Sequence, residues 1–452
     1  MASVNGGYLV AKALKNEEVD TVFTLTGGHI MPILNALVEF GIKVIDCRHE
    51  CAAAYAADAY AKVSGRPGVL ITTAGPGVTN TMTAMAEASE TTVPIVHIGG
   101  AAVQSFFDMG MMQDVNTLGA MSAFCKFAKK VTIPRRIPEY IAMAFRHALD
   151  DTPGPVYLEM PMDILAEKYG GLIEDEGKIY YPEKYRTDAI AFGDPDLIKE
   201  AAKLLASAKK PVLVLGEQAR FNTKYGEYVE RLVNYLKMPV FISPLALIRG
   251  TYADESKNEL FAIGNAATTQ ADVILELCAN NHGLLGYARA PLFNAAAKII
   301  QVHPDRLKIG YNTKADVGIV AGAGAASKQL LEEIEKLTQA RKDDAWVDEA
   351  RKLNGMARSF YTEAAADNGF PIHPGRLAAE VAKFLAQSGQ DWHIACDGGD
   401  SGVWMAANAV ARYPGQILRF GNMGTIGTGP GMAIGGWAAD KKPVLYYTGD
   451  GS

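Results

Sequence analysis

Short apolar runs that alternate with amphipathic stretches constrain the fold of this chain more than any other feature. Residues 68–73, 94–98, 211–216 and 273–278 carry apolar side chains at successive positions rather than at every second one. Strands of this kind are buried on both faces, as in parallel sheets covered by helices. The fold class is therefore α/β, with three doubly wound parallel-sheet domains. The chain is long enough for this: 452 residues, 49% of them hydrophobic, can bury several cores.

Strands are expected at 22–25, 44–46, 68–73, 94–98 and 156–160, with helices at 7–15, 30–40 and 50–63, which bounds a first domain at 1–170. The polar segment 174–185 reads as a linker. A second domain, 190–338, is expected to hold strands at 211–216, 240–243, 273–278 and 299–303 and a charged helix at 327–337. A polar helical stretch at 341–368 then leads to Pro371–Ile372–His373–Pro374, where proline restricts its predecessor and breaks helices. The third domain, 370–452, has strands at 394–396 and 444–448. Because it stops on the glycine turn after the second of these, it is expected to be incomplete.

Composition narrows the function. The net charge is -6 and the basic residues are scattered, so neither nucleic acid nor an anionic membrane is an expected partner. Five cysteines without a CxxC pair argue against a disulfide framework and a structural zinc site. No apolar run approaches the roughly 18 residues needed to span a bilayer, and the N-terminus lacks the layout of a signal peptide. A cytoplasmic protein acting on small molecules is expected.

Ligands of parallel α/β sheets collect at the carboxyl ends of strands. Four glycine turns follow strands: Thr26–Gly27–Gly28–His29, Thr73–Ala74–Gly75–Pro76–Gly77, Asp397–Gly398–Gly399–Asp400–Ser401 and Gly449–Asp450–Gly451–Ser452. None is a Walker loop or a GxGxxG fingerprint. Each alone is explained by the need for a tight turn. Asp-Gly-Ser after an apolar strand nevertheless supplies a carboxylate, a flexible backbone and a hydroxyl, which suits a divalent cation holding a diphosphate.

Together these residues resemble the thiamine-diphosphate-dependent enzymes of the acetolactate synthase, benzaldehyde lyase, oxalyl-CoA decarboxylase and 2-hydroxyacyl-CoA lyase kind. The resemblance rests on Arg48–His49–Glu50, on Ala74–Gly75–Pro76–Gly77–Val78–Thr79–Asn80, on Gly424–Thr425–Ile426–Gly427 and on the Gly449–Ser452 turn, in the family's order. It implies thiamine diphosphate and Mg²⁺ as cofactors. By resemblance Glu50 bonds the pyrimidine N1′ and triggers ylide formation, Gly75 belongs to the pyrimidine-binding signature, and Gly424 and Ile426 hold the bent cofactor. Asp400, Ser401, Gly451 and Ser452 face the diphosphate, and Asp450 is a metal ligand. Plainer readings stand beside these: Glu50 as a helix N-terminal acid favoured by the dipole, and Ile426 as a core residue.

His29 and Gln113 resemble active-site residues of benzaldehyde lyase, an imidazole that passes protons and an amide that steadies an oxyanion. Their plainer readings are a histidine bonded to backbone and a loop glutamine. Methionines and phenylalanines around Gln113 suit an apolar acyl or aryl group. In the central domain, Cys278–Ala279–Asn280–Asn281–His282–Gly283 stands where acetolactate synthases carry an arginine-phenylalanine-aspartate-rich segment, leaving FAD, CoA or ADP there unsupported. The expected activity is a C–C lyase or carboligase on aldehydes, 2-hydroxy ketones or 2-hydroxyacyl-CoA through ylide and enamine intermediates. The alternative is a decarboxylating carboligase of the acetolactate synthase kind. The resemblance also implies a homodimer or homotetramer with active sites between subunits. The family's metal-binding asparagine is expected some 25 to 30 residues beyond Ser452, so the chain as written is expected to show no ordered thiamine diphosphate.

Overall fold

A computed structural model describes residues 3–221, 223–243, 249 and 266–452. The chain forms two compact units, Met1–Asp188 with Met423–Val444, and Ala189–Asn422 with Leu445–Ser452.

The first unit is built on a six-stranded sheet of β1 (Thr21–Leu25), β2 (Lys43–Asp46), β3 (Gly68–Thr72), β4 (Ile95–Ala101), β5 (Phe127–Lys130) and β6 (Val156–Pro161). The order is β2-β1-β3-β4-β6-β5 and every pairing is parallel, with Phe23 opposite both Ile45 and Leu70. Strands β3, β4 and β6 are buried along their whole length, as their largely apolar runs require. The Phe-Ala-Lys-Lys sequence of β5 lacks such a run because this strand lies at the sheet's edge, where lysines discourage further pairing.

One helix, Glu50–Ser64, is covered on two sides, and its alanines permit this. A Cβ on Gly68 of β3 would lie 2.1 Å from the Ala57 carbonyl oxygen, so the sheet touches the helix backbone. On another face runs the helix Gly429–Asp440, where a Cβ on Gly431 would lie 2.6 Å from the Ala52 oxygen and one on Gly435 2.0 Å from the Ala56 oxygen. The two helices therefore run in the same direction and nearly touch backbone to backbone. The buried charges of the first helix, Asp58 and Lys62, pair with each other one turn apart at 2.5 Å. An unpaired charge at that depth would cost several kcal/mol.

The second unit contains a five-stranded parallel sheet of β7 (Pro211–Leu215), β8 (Val240–Ile242), β9 (Val273–Leu277), β10 (Lys298–Val302) and β11 (Val317–Ile319) in the order β8-β7-β9-β10-β11. The polar stretch expected to be helical is two helices, Ala345–Ala357 and Ser359–Ala366. Trp346 docks the first of them on this sheet, its indole N–H donating to the Pro211 carbonyl at 2.9 Å. A three-stranded sheet follows, with β12 (His393–Cys396), β13 (Ile417–Arg419) and β14 (Val444–Tyr447) in the order β13-β12-β14. Among the described residues no helix is long and apolar enough to cross a membrane, and all five cysteines are free.

Candidate active site

In the first sheet the connections from β1 and from β3 leave in opposite directions, so the strand order reverses between these neighbours. Open α/β sheets bind ligands at such a switch point. Glycine lets the two loops meet there: a Cβ on Gly27 would lie 2.3 Å from that of Thr73. His29, in the middle of the turn Gly28–Ile30, is half-buried, and its Nδ1 lies 3.2 Å from the Thr73 hydroxyl. Its bond runs to a side chain across the switch point. Burial lowers its pKa below the ordinary histidine value, so the ring is neutral at neutral pH with Nδ1 tied to Thr73.

The loop after β2 ends in Glu50, the first residue of its helix. His49 caps that helix, its Nδ1 accepting from the Cys51 backbone N–H at 3.1 Å. Glu50 is 6% exposed, and its Oε2 accepts from Asn80 Nδ2 at 2.9 Å. Oε1 has no hydrogen-bond partner among the described residues. Asn80 closes the short turn Pro76–Thr79, its backbone N–H bonded to the Pro76 carbonyl at 2.9 Å.

Gly75 opens that turn with φ +57°, a conformation that favours glycine. It has no room for a side chain, since a Cβ would lie 2.8 Å from Gln113 Cβ. Gln113 has φ +65°, uncommon for a non-glycine residue, and belongs to the loop that leaves β4. It lines a cavity of about 220 Å³ with Phe107, Thr117, Lys130 and Glu159. Glu159 is buried, and its two oxygens are taken by Lys130 at 2.9 Å and Thr117 at 2.7 Å. The apolar side chains Met109 and Met112 of the same loop are 71% and 80% exposed, so they are not core filler.

Residues 424–428 lead into the Gly429 helix, whose parallel packing puts them at the end of the neighbouring helix where Glu50 stands. Gly424 has φ +69°. Ile426 is 54% exposed, which sets aside its reading as a core residue.

In the second unit, the turns after β12 and β14 lie together. Asp397 is fully buried, with its Oδ1 accepting from the Gly398 N–H at 2.6 Å and its Oδ2 from the Tyr446 hydroxyl at 3.1 Å. This ties the two strand ends. Asp400 is exposed in the first turn of the helix Gly399–Asn408. Ser401 donates to the Gly398 carbonyl at 2.8 Å, and its hydroxyl would lie 3.6 Å from a Cβ on Gly449. Asp450, Gly451 and Ser452 are exposed beyond it. A helix N-terminus with carboxylate, hydroxyl and glycine backbone groups around it fits a diphosphate and a hard cation. The buried Glu50, with one oxygen held and the other without a partner, fits a protonated ring nitrogen.

Thr73 and Asn80 stand in a motif visible in the sequence, but their partners do not. Thr73 meets a residue 44 positions away and Asn80 one 30 positions away.

Comparison with known proteins gives the family. Residues 4–120 match the N-terminal TPP binding domain of thiamine pyrophosphate enzymes, and residues 198–330 match their central domain. Human 2-hydroxyacyl-CoA lyase 2 is 32% identical over 95% of this chain and 72% of its own length. A probable acetolactate synthase large subunit of Methanocaldococcus jannaschii is 30% identical over 99% of this chain and 76% of its own. Mouse 2-hydroxyacyl-CoA lyase 1 is 29% identical over 99% and 76% respectively.

Proposed function

Because the chain belongs to the thiamine-pyrophosphate-dependent enzymes, we propose that it cleaves or forms a carbon–carbon bond beside a carbonyl, acting on aldehydes, 2-hydroxy ketones or 2-hydroxyacyl-CoA. The observation that carries this reading is one turn, 73–80, from which Thr73 contacts His29, Gly75 abuts Gln113 and Asn80 bonds Glu50. Proton carrier, amide donor and carboxylate thus share one support. The similarity to 2-hydroxyacyl-CoA lyase 2 favours the same class. A second reading, a decarboxylating carboligase, is favoured by the similarity to the acetolactate synthase.

Thiamine diphosphate, when bound, supplies the electron sink that makes a carbanion beside the carbonyl accessible. Glu50 would hold a proton at the pyrimidine N1′ through Oε1, the oxygen that Asn80 leaves open. Gly75, Gly424 and Ile426 would hold the pyrimidine end, with the exposed Ile426 giving it an apolar contact. Asp400, Ser401, Gly451 and Ser452 would take the diphosphate, and Asp450 would take Mg²⁺. His29, neutral and tied through Nδ1, offers Nε2 to the substrate hydroxyl as base and returns the proton to the carbonyl oxygen. Gln113 donates its amide N–H to that oxygen as charge develops. The exposed methionines of its loop receive the apolar part of the substrate. The active form is a cytoplasmic homodimer or homotetramer with sites shared between copies.

The role of His29 has a pH signature. It must be neutral to accept a proton, so activity falls as pH drops through its pKa, which burial places below the ordinary 6.5. The kcat/KM profile of the full-length enzyme is expected to have the midpoint of its acid limb below pH 6.5. His29→Ala is expected to lower the plateau about 10²-fold or more and to remove that acid limb. A variant with unchanged rate and profile would take His29 out of the chemistry.

A further inference from the structure

We infer that Asn80 is a positioning residue for Glu50, fixing which carboxylate oxygen serves the cofactor. The inference rests on the role of Glu50 proposed above and adds the part that makes that role reproducible from one turnover to the next. A glutamate side chain has three rotatable bonds, and rotation about the last one exchanges its two oxygens. The Asn80 amide removes that freedom. Its N–H occupies Oε2 at 2.9 Å and leaves Oε1 as the oxygen open to a ligand.

The chemistry of the donor matters as much as its place. A lysine or arginine there would hold the carboxylate by opposite charge and compete with the ring nitrogen for it. A neutral amide orients the carboxylate and adds no charge. Among the described residues Glu50 has no ion-pair partner, although Arg48 stands two residues away; Arg48 pairs with Asp46 instead.

The position of Asn80 is set by backbone. Val78 and Thr79 donate their N–H groups to the Gly75 carbonyl at 3.0 Å each, Asn80 donates to Pro76 at 2.9 Å, and the buried Thr81 hydroxyl closes onto Val78 at 2.7 Å. These bonds survive any change of the Asn80 side chain. The side chain is exposed at the rim of the site apart from its contact with Glu50. Substitution there removes the donor and spares the fold. The turn also carries Gly75 against Gln113, so the carboxylate and the substrate-facing amide are referenced to one rigid segment.

The test compares Asn80→Asp, Asn80→Ala and Glu50→Gln in the full-length protein loaded with thiamine diphosphate and Mg²⁺. It reads kcat, KM, the melting temperature, and the rate at which the cofactor C2 proton exchanges into D₂O, followed by quenched NMR. Aspartate keeps the shape of asparagine but turns the donor into an acceptor facing a carboxylate. Losing a hydrogen bond to a charged group corresponds to about a 10- to 100-fold change. Asn80→Ala is expected to slow exchange and kcat by about tenfold and Asn80→Asp by about 100-fold, with KM and melting temperature close to wild type. Wild-type exchange in Asn80→Asp, beside lost exchange in Glu50→Gln, would overturn the inference and leave the role of Glu50 standing. A lowered melting temperature with unchanged exchange would also overturn it, because the bond would then serve only the fold. Wild-type exchange in Glu50→Gln would remove the premise and the inference together.

Discussion

Replacing Glu50 by glutamine in the full-length enzyme is expected to lower kcat by about 10²- to 10⁴-fold, the range found when a positioned proton-transfer group is lost. Glutamine keeps the volume and one acceptor oxygen, so Asn80 keeps a partner and the helix start is not disturbed. What disappears is an acidic oxygen that can share a proton with a ring nitrogen. The affinity for thiamine diphosphate is expected to change far less than kcat, because most of its contacts lie elsewhere. Steady-state kinetics with a cofactor titration checks both. The alternative reading of Glu50, a first-turn acid favoured by the helix dipole, gives a different result. It would cost about 0.3–1 kcal/mol of stability and no activity.

The second large effect concerns packing beside the same residue. Gly435→Ala is expected to lower the thermal transition of the unit that contains it by about 6 to 12 °C. A Cβ at that position would lie 2.0 Å from the Ala56 carbonyl oxygen, closer than any real contact, and neither partner is a flexible side chain. The Gly429 helix must then move off the Glu50 helix. Overpacking of this kind costs about 1–3 kcal/mol, and a clash between backbones belongs at the upper end. For a unit of this size each kcal/mol shifts the transition by about 2–4 °C. Gly355→Ala is the control: this helical glycine has nothing within 4 Å of the added carbon, so the change is expected to be neutral or to stabilise by about 0.5–1 kcal/mol. Because residues 424–428 enter the Gly429 helix, the same displacement is expected to weaken cofactor binding. Differential scanning calorimetry and a cofactor titration measure the two effects.

The contrast between these predictions mirrors what can be read from the sequence. Interior strands were legible because continuous apolar runs leave little choice: the run at 68–73 folds as Gly68–Thr72 and that at 273–278 as Val273–Leu277. The edge strands at 44–46, 240–243 and 444–448 were legible too, but three others were not. Phe127–Lys130, Val317–Ile319 and Ile417–Arg419 are short or polar, and their identity comes from the neighbour they pair with. The glycine turns were legible as turns that follow strands, yet glycines act here in two ways that spacing does not separate. Gly75 is required by its dihedral angle and by the approach of Gln113. Gly431 and Gly435 are required by a helix 379 residues earlier in the chain, whose alanine face is the other half of the pattern. Thr73 and Asn80 were hidden for the same reason, since a hydrogen bond across two loops leaves no local signal.

The lyase reading and the decarboxylating reading share the cofactor, the carboxylate and the turn that supports them. They differ in what leaves the substrate. The most direct measurement is a product balance on the full-length protein with thiamine diphosphate and Mg²⁺, offered a 2-hydroxyacyl-CoA in one reaction and pyruvate in another. The lyase reading predicts aldehyde released from the 2-hydroxyacyl-CoA in proportion to substrate consumed, without carbon dioxide, and negligible turnover of pyruvate. Carbon dioxide evolved from pyruvate, with no aldehyde from the acyl-CoA, would contradict it.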